Sequence, residues 1–302
     1  MLQQLLSEIK NIPPEKVPLI IIMGPTASGK SSIAMQIGEK LPIEIISADS
    51  MQIYRGMDIG VAKPSKRDQE LIPHHLIDLL DISEPINVFK YVELANLAIC
   101  EIRKNNKIPL LVGGSGMYIR ALIYGLDPLP ADTKLRRELD DEFNSPAGFE
   151  KLKTLMNKVD PEDFQRWSKH QRKLIRALEV FRITGKSITE LQKTWDSGVL
   201  FPVNAWRIVI QRERLRQRIA ERTDEMLNNG WIEETENLIQ NGLLTTPTAR
   251  QAIGYPVIAD FLDGKIEREA MRDKIVTVTS QFARRQDTWF RNKHPEAKNW
   301  EV

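Results

Sequence analysis

The chain has 302 residues, which fits one large α/β domain or two modest domains. Its 41% apolar content excludes a disordered chain, and its net charge of +2 lacks the basic excess that is typical of nucleic-acid-binding proteins. That total hides segregated charge, because residues 164–222 hold 14 basic and five acidic side chains.

Cysteine content and the first residues point to the compartment. Cys100 is the single cysteine, so an intramolecular disulfide and a cysteine metal cluster are both excluded, and a reduced setting is expected. The N-terminal segment has charges and prolines instead of a signal core, and the apolar run 19–23 is too short to cross a bilayer. We therefore expect a cytoplasmic protein without membrane association, and a monomer by default.

The first part of the chain alternates between strand and helix patterns. Strands are predicted at 17–23, 43–47, 76–80 and 107–112, with helices at 29–41 and 88–104. Each strand is apolar and short, as buried parallel strands are. The alternation predicts a parallel sheet covered by helices.

Helical patterns dominate after about residue 125. Helices are predicted at 133–143, 146–159, 171–184 and 188–195, then a strand at 205–210 and helices at 211–229, 232–241 and 265–290. The economical interpretation is an α/β fold with a P-loop-type parallel-sheet core. Residues 1–125 and 204–302 would form this core, and residues 126–203 would form a mostly helical insertion.

The strongest motif follows the first predicted strand. Residues 24–31 read GPTASGKS, which fits the phosphate-loop pattern G-x-x-x-x-G-K-[ST] between a strand and a helix. Glycines let the backbone wrap a phosphate, and the N–H groups at the helix start bind the anion. Lys30 would add a positive charge, and the Ser31 hydroxyl would bind Mg²⁺.

One carboxylate is expected opposite this loop. The apolar strand 107–112 ends in the glycine-rich turn 113–116 without an acid, whereas the strand 43–47 is followed by Asp49. Ligands bind at the carboxyl edge of parallel sheets, so Asp49 is a candidate general base, and a turn-capping aspartate is the alternative. For the pair at positions 74 and 75, both histidine, and for Cys100 on the apolar side of its helix, a structural role is favoured.

The basic segment 164–222 favours a polyanionic partner such as RNA. Dense clusters lie at 172–176 and 207–222, and the predicted last helix adds Arg284, Arg285 and Arg291 as a second phosphate-facing strip. Tryptophans at 167, 195 and 206 are able to stack on bases, although burial is the commoner fate of tryptophan.

These motifs together resemble a known family, the bacterial tRNA dimethylallyltransferases, also called tRNA isopentenyltransferases. The segments that carry the resemblance run in order along nearly the whole chain: GPTASGKSS (24–32), SADSMQIYRGMDIGVAKP (47–64), PHHLIDLLD (73–81), PLLVGGSGMYIRALIYGL (109–126), RALEVFRITG (176–185), ARQAIGY (249–255) and ARRQDTWFR (283–291). Two departures, at Pro256 and at residues 280–282, are expected to lie outside the donor site.

The resemblance implies that a dimethylallyl group passes from dimethylallyl diphosphate to the exocyclic amine of the adenosine 3′ to the anticodon of a tRNA, with Mg²⁺ as cofactor. It implies that the phosphate loop holds the donor diphosphate, and that Asp49 is the general base, with Lys30 and Ser115 also catalytic. The implied donor-binding residues are Gly24, Thr26, Ala27, Ser28, Gly29, Lys30 and Ser31, the last also binding the metal. The implied contacts to the tRNA anticodon stem-loop are Asp49, Ser50, Met51, Gln52, Ser115, Arg136, Arg172, Lys173, Leu174, Ile175 and Arg176.

Two other functions remain open at this point. A P-loop kinase acting on a small hydroxyl substrate would bind ATP, but the missing second strand-end acid and the large basic segment disfavour it. A nucleotide-gated RNA-binding module without catalytic activity would leave Asp49 without a role.

Overall fold

A computed structural model describes residues 1–192 and 198–302, which form two compact units. The first unit comprises Met1–Ile123 and Phe201–Val302, and the second comprises Tyr124–Leu200. The sequence interpretation places the limits of the insertion at 126 and 203. The first unit is therefore built from two stretches of chain that the second unit separates.

A six-stranded parallel sheet organises the first unit. The strands are β1 (Leu19–Met23), β2 (Ile43–Ala48), β3 (His74–His75), β4 (Ile108–Gly113), β5 (Val203–Val209) and β6 (Lys298–Glu301), in the order β3-β2-β4-β1-β5-β6. The helices numbered along this unit are α1 (Leu2–Ile9), α2 (Lys30–Gly38), α3 (Lys66–Leu71), α4 (Val88–Lys104) and α5 (Gly116–Tyr124), then α11 (Arg212–Asn228), α12 (Trp231–Gln240), α13 (Tyr255–Leu262) and α14 (Arg268–Lys293). The predicted α/β class with a parallel sheet is confirmed.

The centre of the sheet fixes where ligands meet the protein. All five residues of β1 are buried, and β1 pairs with β4 on one side and with β5 on the other. The register places Ile22 beside both Val112 and Trp206. Strands buried on both faces need continuous apolar sequence, which explains the run LIIIM. The loops that follow β1, β2 and β4 leave the sheet at one edge.

Two strands differ from the sequence prediction. The third strand is His74–His75 instead of 76–80, because Leu76 and Asp78 adopt positive φ angles of 63° and 54° that end extended pairing. The sixth strand was not predicted. Only one of the four residues of β6, Trp300, is buried, so the strand has no apolar run that a sequence pattern could detect.

The second unit is helical and has its own core. It contains α6 (Thr133–Phe143), α7 (Pro146–Val159), α8 (Pro161–Trp167), α9 (Gln171–Thr184) and α10 (Ile188–Leu191). The side chains of Asp132, Ser145 and Asp160 accept N–H bonds at the starts of α6, α7 and α8, as N-caps do. Buried Leu139, Phe143 and other apolar residues from all five helices form one cluster. The helices predicted at 133–143, 146–159 and 171–184 are confirmed with the same bounds, whereas the end of the one predicted at 188–195 lies outside the described residues.

Among the helices within residues 1–192 and 198–302, none is both long enough and apolar enough to span a bilayer.

Candidate active site

The phosphate loop joins β1 to α2 and borders a cleft of about 640 Å³. Gly29 adopts φ +93° at the N-cap of α2, a conformation that favours glycine. Five further predicted donor-binding residues line the cleft with it: Thr26, Ala27, Ser28, Lys30 and Ser31. Gly24 lies at the end of β1, where a Cβ atom would be 3.0 Å from Ile208. The loop therefore offers the start of α2 to an anion in the cleft.

Lys30 is the cation of this loop. Its Nζ donates a 2.6 Å hydrogen bond to the Pro25 carbonyl oxygen. Burial, reinforced by the neighbouring Arg222 guanidinium and opposed by the Asp49 carboxylate, lowers the pKa of Lys30 to about 7. Near neutral pH, the ammonium group is therefore close to losing its proton unless an anion arrives.

Two arginines from α11 also reach the phosphate loop. Arg222 donates to the Thr26 hydroxyl oxygen at 2.9 Å, and Arg218 donates to the Ser28 carbonyl oxygen at 3.4 Å. Sequence reasoning placed both in a basic segment for RNA and missed this role. Their spacing of four positions was the available signal, because it puts both on one face of a helix. Arg212, Arg214 and Arg216 of the same helix are exposed.

Asp49 follows β2 and lines both the main cleft and a smaller cavity beside it. One of its carboxylate oxygens accepts the Met51 N–H at 2.9 Å. Ser115, from the turn after β4, accepts the neighbouring Ser50 N–H at 3.1 Å through its hydroxyl oxygen. The structure therefore brings Asp49, Ser50 and Ser115 together at the sheet edge, next to the phosphate loop.

Gln52 holds the segment that follows Asp49. Its Nε2 donates to the carbonyl oxygens of Val61 and Ala62 at 3.3 and 3.1 Å, and its Oε1 accepts from the Ser47 hydroxyl at 2.8 Å. The amide group is thus engaged within the protein. The loop around residues 61–62 is fixed against the end of β2.

Gln286 of α14 is a second residue that sequence reasoning missed. Its Oε1 accepts the Thr26 N–H and its Nε2 donates to the Gly114 carbonyl oxygen, each at 2.8 Å. A Cβ atom on Gly114 would lie 2.3 Å from this Nε2, so a larger residue there would displace the Gln286 amide from its position. Gln286 therefore links the phosphate loop to the turn that carries Ser115. A single glutamine with partners so distant in sequence leaves no local pattern.

The smaller cavity, of about 250 Å³, adjoins the cleft and is more apolar in its side chains. Its lining includes Asp49 and Arg222 on one side. Its apolar lining residues are Met51, Val61, Ile219, Met226, Trp231, Ala252, Ile253 and Phe282. Phe282 lines both cavities, so the expectation that the departure at 280–282 lies outside the donor site is wrong. A sequence gives no register between α14 and the sheet, which is why Phe282 was misplaced.

In the second unit, two predicted tRNA contacts need correction. Leu174 and Ile175 are 0% and 1% exposed and pack in the core of that unit, so their side chains cannot contact RNA. The helical period explains this outcome, since only part of a five-residue run faces solvent. Arg172 and Lys173 are exposed on the same helix, α9.

Arg136 and Arg176 are both paired with Glu179. Arg176 donates to the Glu179 carboxylate at 2.6 Å, and Arg136 bonds to the same oxygen. Glu179 is 1% exposed, and a buried carboxylate without a cation is strongly destabilising. Both arginines thus neutralise a buried acid, whatever else they contact.

Among the tryptophan, histidine and cysteine side chains that the sequence singled out, those discussed next have structural surroundings, with Cys100 as the exception. Trp206 is buried against Trp300 with the rings edge to face, and Trp167 packs on the core of the second unit. Position 195 lies outside the described residues. His75 pairs with Glu44 at 2.7 Å, in line with a structural role. Cys100, expected in the core, is exposed, because it lies on the outer face of α4.

Comparison with known proteins identifies the family. The model of the family described as IPP transferase matches residues 52–293. The chain belongs to the IPP transferase family. Two family relatives named tRNA dimethylallyltransferase are each 42% identical to it. The relative from Alkalilimnicola ehrlichii aligns over 93% of this chain and 89% of its own length, and that from Natranaerobius thermophilus over 96% and 87%.

Solved structures of the family have the same fold. A tRNA isopentenylpyrophosphate transferase from Bacillus halodurans gives a TM-score of 0.69 at 35% identity, covering 95% of this chain and 90% of that one. A eukaryotic dimethylallyltransferase, described as acting on tRNA, gives 0.74 at 26% identity, covering 94% and 73%. The resemblance inferred from the sequence motifs and the P-loop-type core are both confirmed.

Proposed function

We propose that this enzyme transfers the dimethylallyl group of dimethylallyl diphosphate to the exocyclic amine of the adenosine 3′ to the anticodon in tRNA. One observation carries the proposal: a phosphate loop with added cations and the carboxylate of Asp49 border the same cleft. The names of the relatives, tRNA dimethylallyltransferase, support the donor and the acceptor.

The reaction forms a bond between the adenine nitrogen and C1 of the prenyl group and breaks the bond from C1 to the diphosphate oxygen. An amine conjugated to a purine is a weak nucleophile, so its proton needs an acceptor, which we assign to Asp49. Negative charge grows on the departing diphosphate. We assign its stabilisation to Lys30, Arg222 and the N–H groups at the start of α2, which border the same cleft.

The ligand atoms that the cleft offers fit Mg²⁺. The magnesium ion is usually held by few protein ligands together with substrate phosphates and water. Ser31 supplies the hydroxyl at the start of α2, and the described residues contain no cluster of three or more His, Cys, Asp or Glu that would hold a metal alone. Ser31 would bind the ion, which would supply further charge neutralisation for the diphosphate.

The smaller cavity is our candidate for the groups that must avoid water. It adjoins both Asp49 and Arg222, and its walls include Met226, Trp231 and Phe282. A prenyl chain needs such apolar surroundings, and a base lifted from the anticodon loop must reach Asp49. We assign the prenyl chain and the incoming base to this region.

The second unit is our candidate for holding the anticodon stem-loop. Exposed basic residues on its surface include Arg166, Lys169, Arg172, Lys173, Arg182 and Lys186. Contacts of this kind to phosphates add affinity that falls with salt.

A transfer assay tests the proposed function. The protein is incubated with Mg²⁺, labelled dimethylallyl diphosphate and unmodified tRNA, and label in the RNA is measured. Label in the anticodon-loop adenosine supports the proposal. Absence of label together with phosphate transfer from ATP would overturn it in favour of a kinase.

The joint change of Arg172 and Lys173 to alanine is expected to weaken tRNA binding. Loss of two phosphate contacts should lower the affinity about threefold to thirtyfold at physiological salt and reduce the salt slope by about 2. Filter binding at several salt concentrations measures both. The control changes Lys151 and Lys158, which are exposed on α7, to alanine. Equal losses in the two double variants would refute the assignment of α9 residues to a specific contact.

Gln286→Met is expected to lower kcat/KM about tenfold or more. Methionine keeps the length of the side chain but removes both hydrogen bonds, so the phosphate loop and the Ser115 turn lose their link. Steady-state kinetics with varied donor measures the loss. Thr288→Ala, at an exposed position on the same helix, is the control. Wild-type kcat/KM in the methionine variant would contradict a role for this link.

A further inference from the structure

Glu234, on α12, has its carboxylate surrounded by donors from another part of the chain. One oxygen accepts the N–H groups of Asp58 and Ile59 at 2.9 and 2.7 Å. The other accepts the Gly60 N–H at 3.0 Å and the Tyr255 hydroxyl at 2.7 Å. Three consecutive peptide N–H groups that converge on one anion form a nest, an arrangement suited to negative charge.

The peptides held by Glu234 begin the loop 58–65, and this loop lines both cavities of the active site. Gly60 and Val61 line the smaller cavity, and residues 61–65 line the main cleft. Ahead of the loop, Gln52 binds the carbonyl oxygens of Val61 and Ala62. Glu234 thus holds the start of the loop 58–65, which forms a wall of both cavities. Gln52 holds the middle of the same loop against the segment that follows Asp49.

The packing beneath this loop leaves it little freedom. A Cβ atom on Gly60 would lie 2.0 Å from the indole nitrogen of Trp231, so the Gly60 backbone rests directly on that ring. Trp231 is itself 2% exposed and lines the smaller cavity. Lys63 fixes the far side through the Tyr54 carbonyl oxygen at 2.9 Å and the Asp58 carboxylate at 2.6 Å. A small shift of residues 58–60 would therefore move the cavity wall.

Tyr255 reinforces the anchor. Burial and the nearby Glu234 carboxylate raise the pKa of the Tyr255 hydroxyl far above its usual value, so it remains a donor at any working pH. The carboxylate then has four donors and no competing acceptor among these contacts. An amide in its place would present N–H groups to peptide N–H groups, and only one of its two ends would still accept.

We infer that Glu234 is a positioning residue for the transfer reaction: by binding the peptide N–H groups of residues 58–60 it holds the loop 58–65 as the shared wall of both cavities. The inference rests on the proposed function. None of the described contacts of Glu234 is to the phosphate loop or to Asp49, so its effect would be exerted through the loop 58–65.

Glu234→Gln tests this inference through two readouts. We expect kcat to fall about tenfold or more, while the affinity for inorganic diphosphate changes less than about threefold, because Lys30 and Arg222 keep their places. Hydrogen exchange of the amides of residues 58–60 should quicken at least about tenfold. Tyr255→Phe, which removes one donor of four, should give a smaller change in the same direction.

The matched control is Glu236→Gln, which makes the same charge change at an exposed position of α12. It should leave kcat and the exchange of residues 58–60 unchanged, and thermal unfolding verifies that every variant is folded. Wild-type kcat or wild-type protection in Glu234→Gln would overturn the inference. Absence of transfer by the wild-type enzyme would instead overturn the proposed function, and the exchange measurement would still report on the anchor.

Discussion

Replacing Asp49 with asparagine is expected to lower the rate of transfer at least about a hundredfold while leaving tRNA affinity within about twofold. The amide keeps the size of the side chain and can still accept the Met51 N–H, so the local turn is preserved. It cannot accept a proton from the adenine amine at neutral pH. Single-turnover transfer with saturating donor measures the chemical step, and filter binding measures tRNA affinity.

The control for this experiment is Asp263→Asn, which removes a carboxylate that pairs with Lys265 at the surface of the same unit. It should transfer at the wild-type rate. Full activity in Asp49→Asn would show that another group accepts the proton, or that water does. A loss of tRNA binding equal to the loss of rate would assign Asp49 to binding instead of catalysis.

The second large effect is expected at Lys30. Lys30→Met should lower the affinity for inorganic diphosphate about tenfold to a hundredfold, because a hydrogen-bonded charge is lost inside a partly enclosed cleft. Isothermal titration measures the change. Lys40→Met, at an exposed position after α2, is the control and should bind like the wild type.

Lys30 should also make diphosphate binding depend on pH. In the free protein its pKa is lowered to about 7 by burial beside Arg222, and a bound anion must raise it. Binding above pH 7 therefore takes up a proton, so the affinity should fall as pH rises from 7.5 to 9.5, by at most about tenfold per pH unit. The Lys30→Met variant should lose the part of this dependence that Lys30 contributes and keep only the part that comes from the titration of diphosphate itself. An equal pH dependence in both proteins would place the titrating group elsewhere.

Local sequence signals predicted much of the fold, and the helical unit best of all. Three of its helices begin and end where the periodicity places them, because N-caps such as Asp132 and Ser145 and the left-handed Gly185 mark their ends. The strand β6 has no such signal. Its pairing with β5 depends on tertiary contacts that a four-residue polar segment does not reveal.

The sequence predicted the site residues that lie within one continuous motif. It missed the residues that reach the site from distant parts of the chain. The phosphate loop is contiguous, and Asp49 follows a recognisable strand. The hydrogen bonds of Gln286 to the phosphate loop and to Gly114, and those of Glu234 to residues 58–60, span 172 or more residues of sequence, so no spacing rule reaches these partners. Arg222 is an intermediate case. The sequence showed that it belongs to a basic segment, but not that its side chain points to the phosphate loop. Leu174 was wrongly predicted to contact tRNA, because it is buried whereas its neighbours Arg172 and Lys173 are exposed.

The position of the helical unit in the middle of the chain has a consequence for how the site is assembled during synthesis. The phosphate loop and Asp49 are translated before the helical unit, whereas Arg222 and Gln286 are translated after it. The β1 strand also gains its partner β5 only in this later stretch. A ribosome-bound chain in which only the phosphate loop has been translated therefore lacks Arg222 and Gln286, which hydrogen-bond to Thr26 of that loop. The described contacts around the phosphate loop are therefore complete only when α14, the last long helix, has been translated.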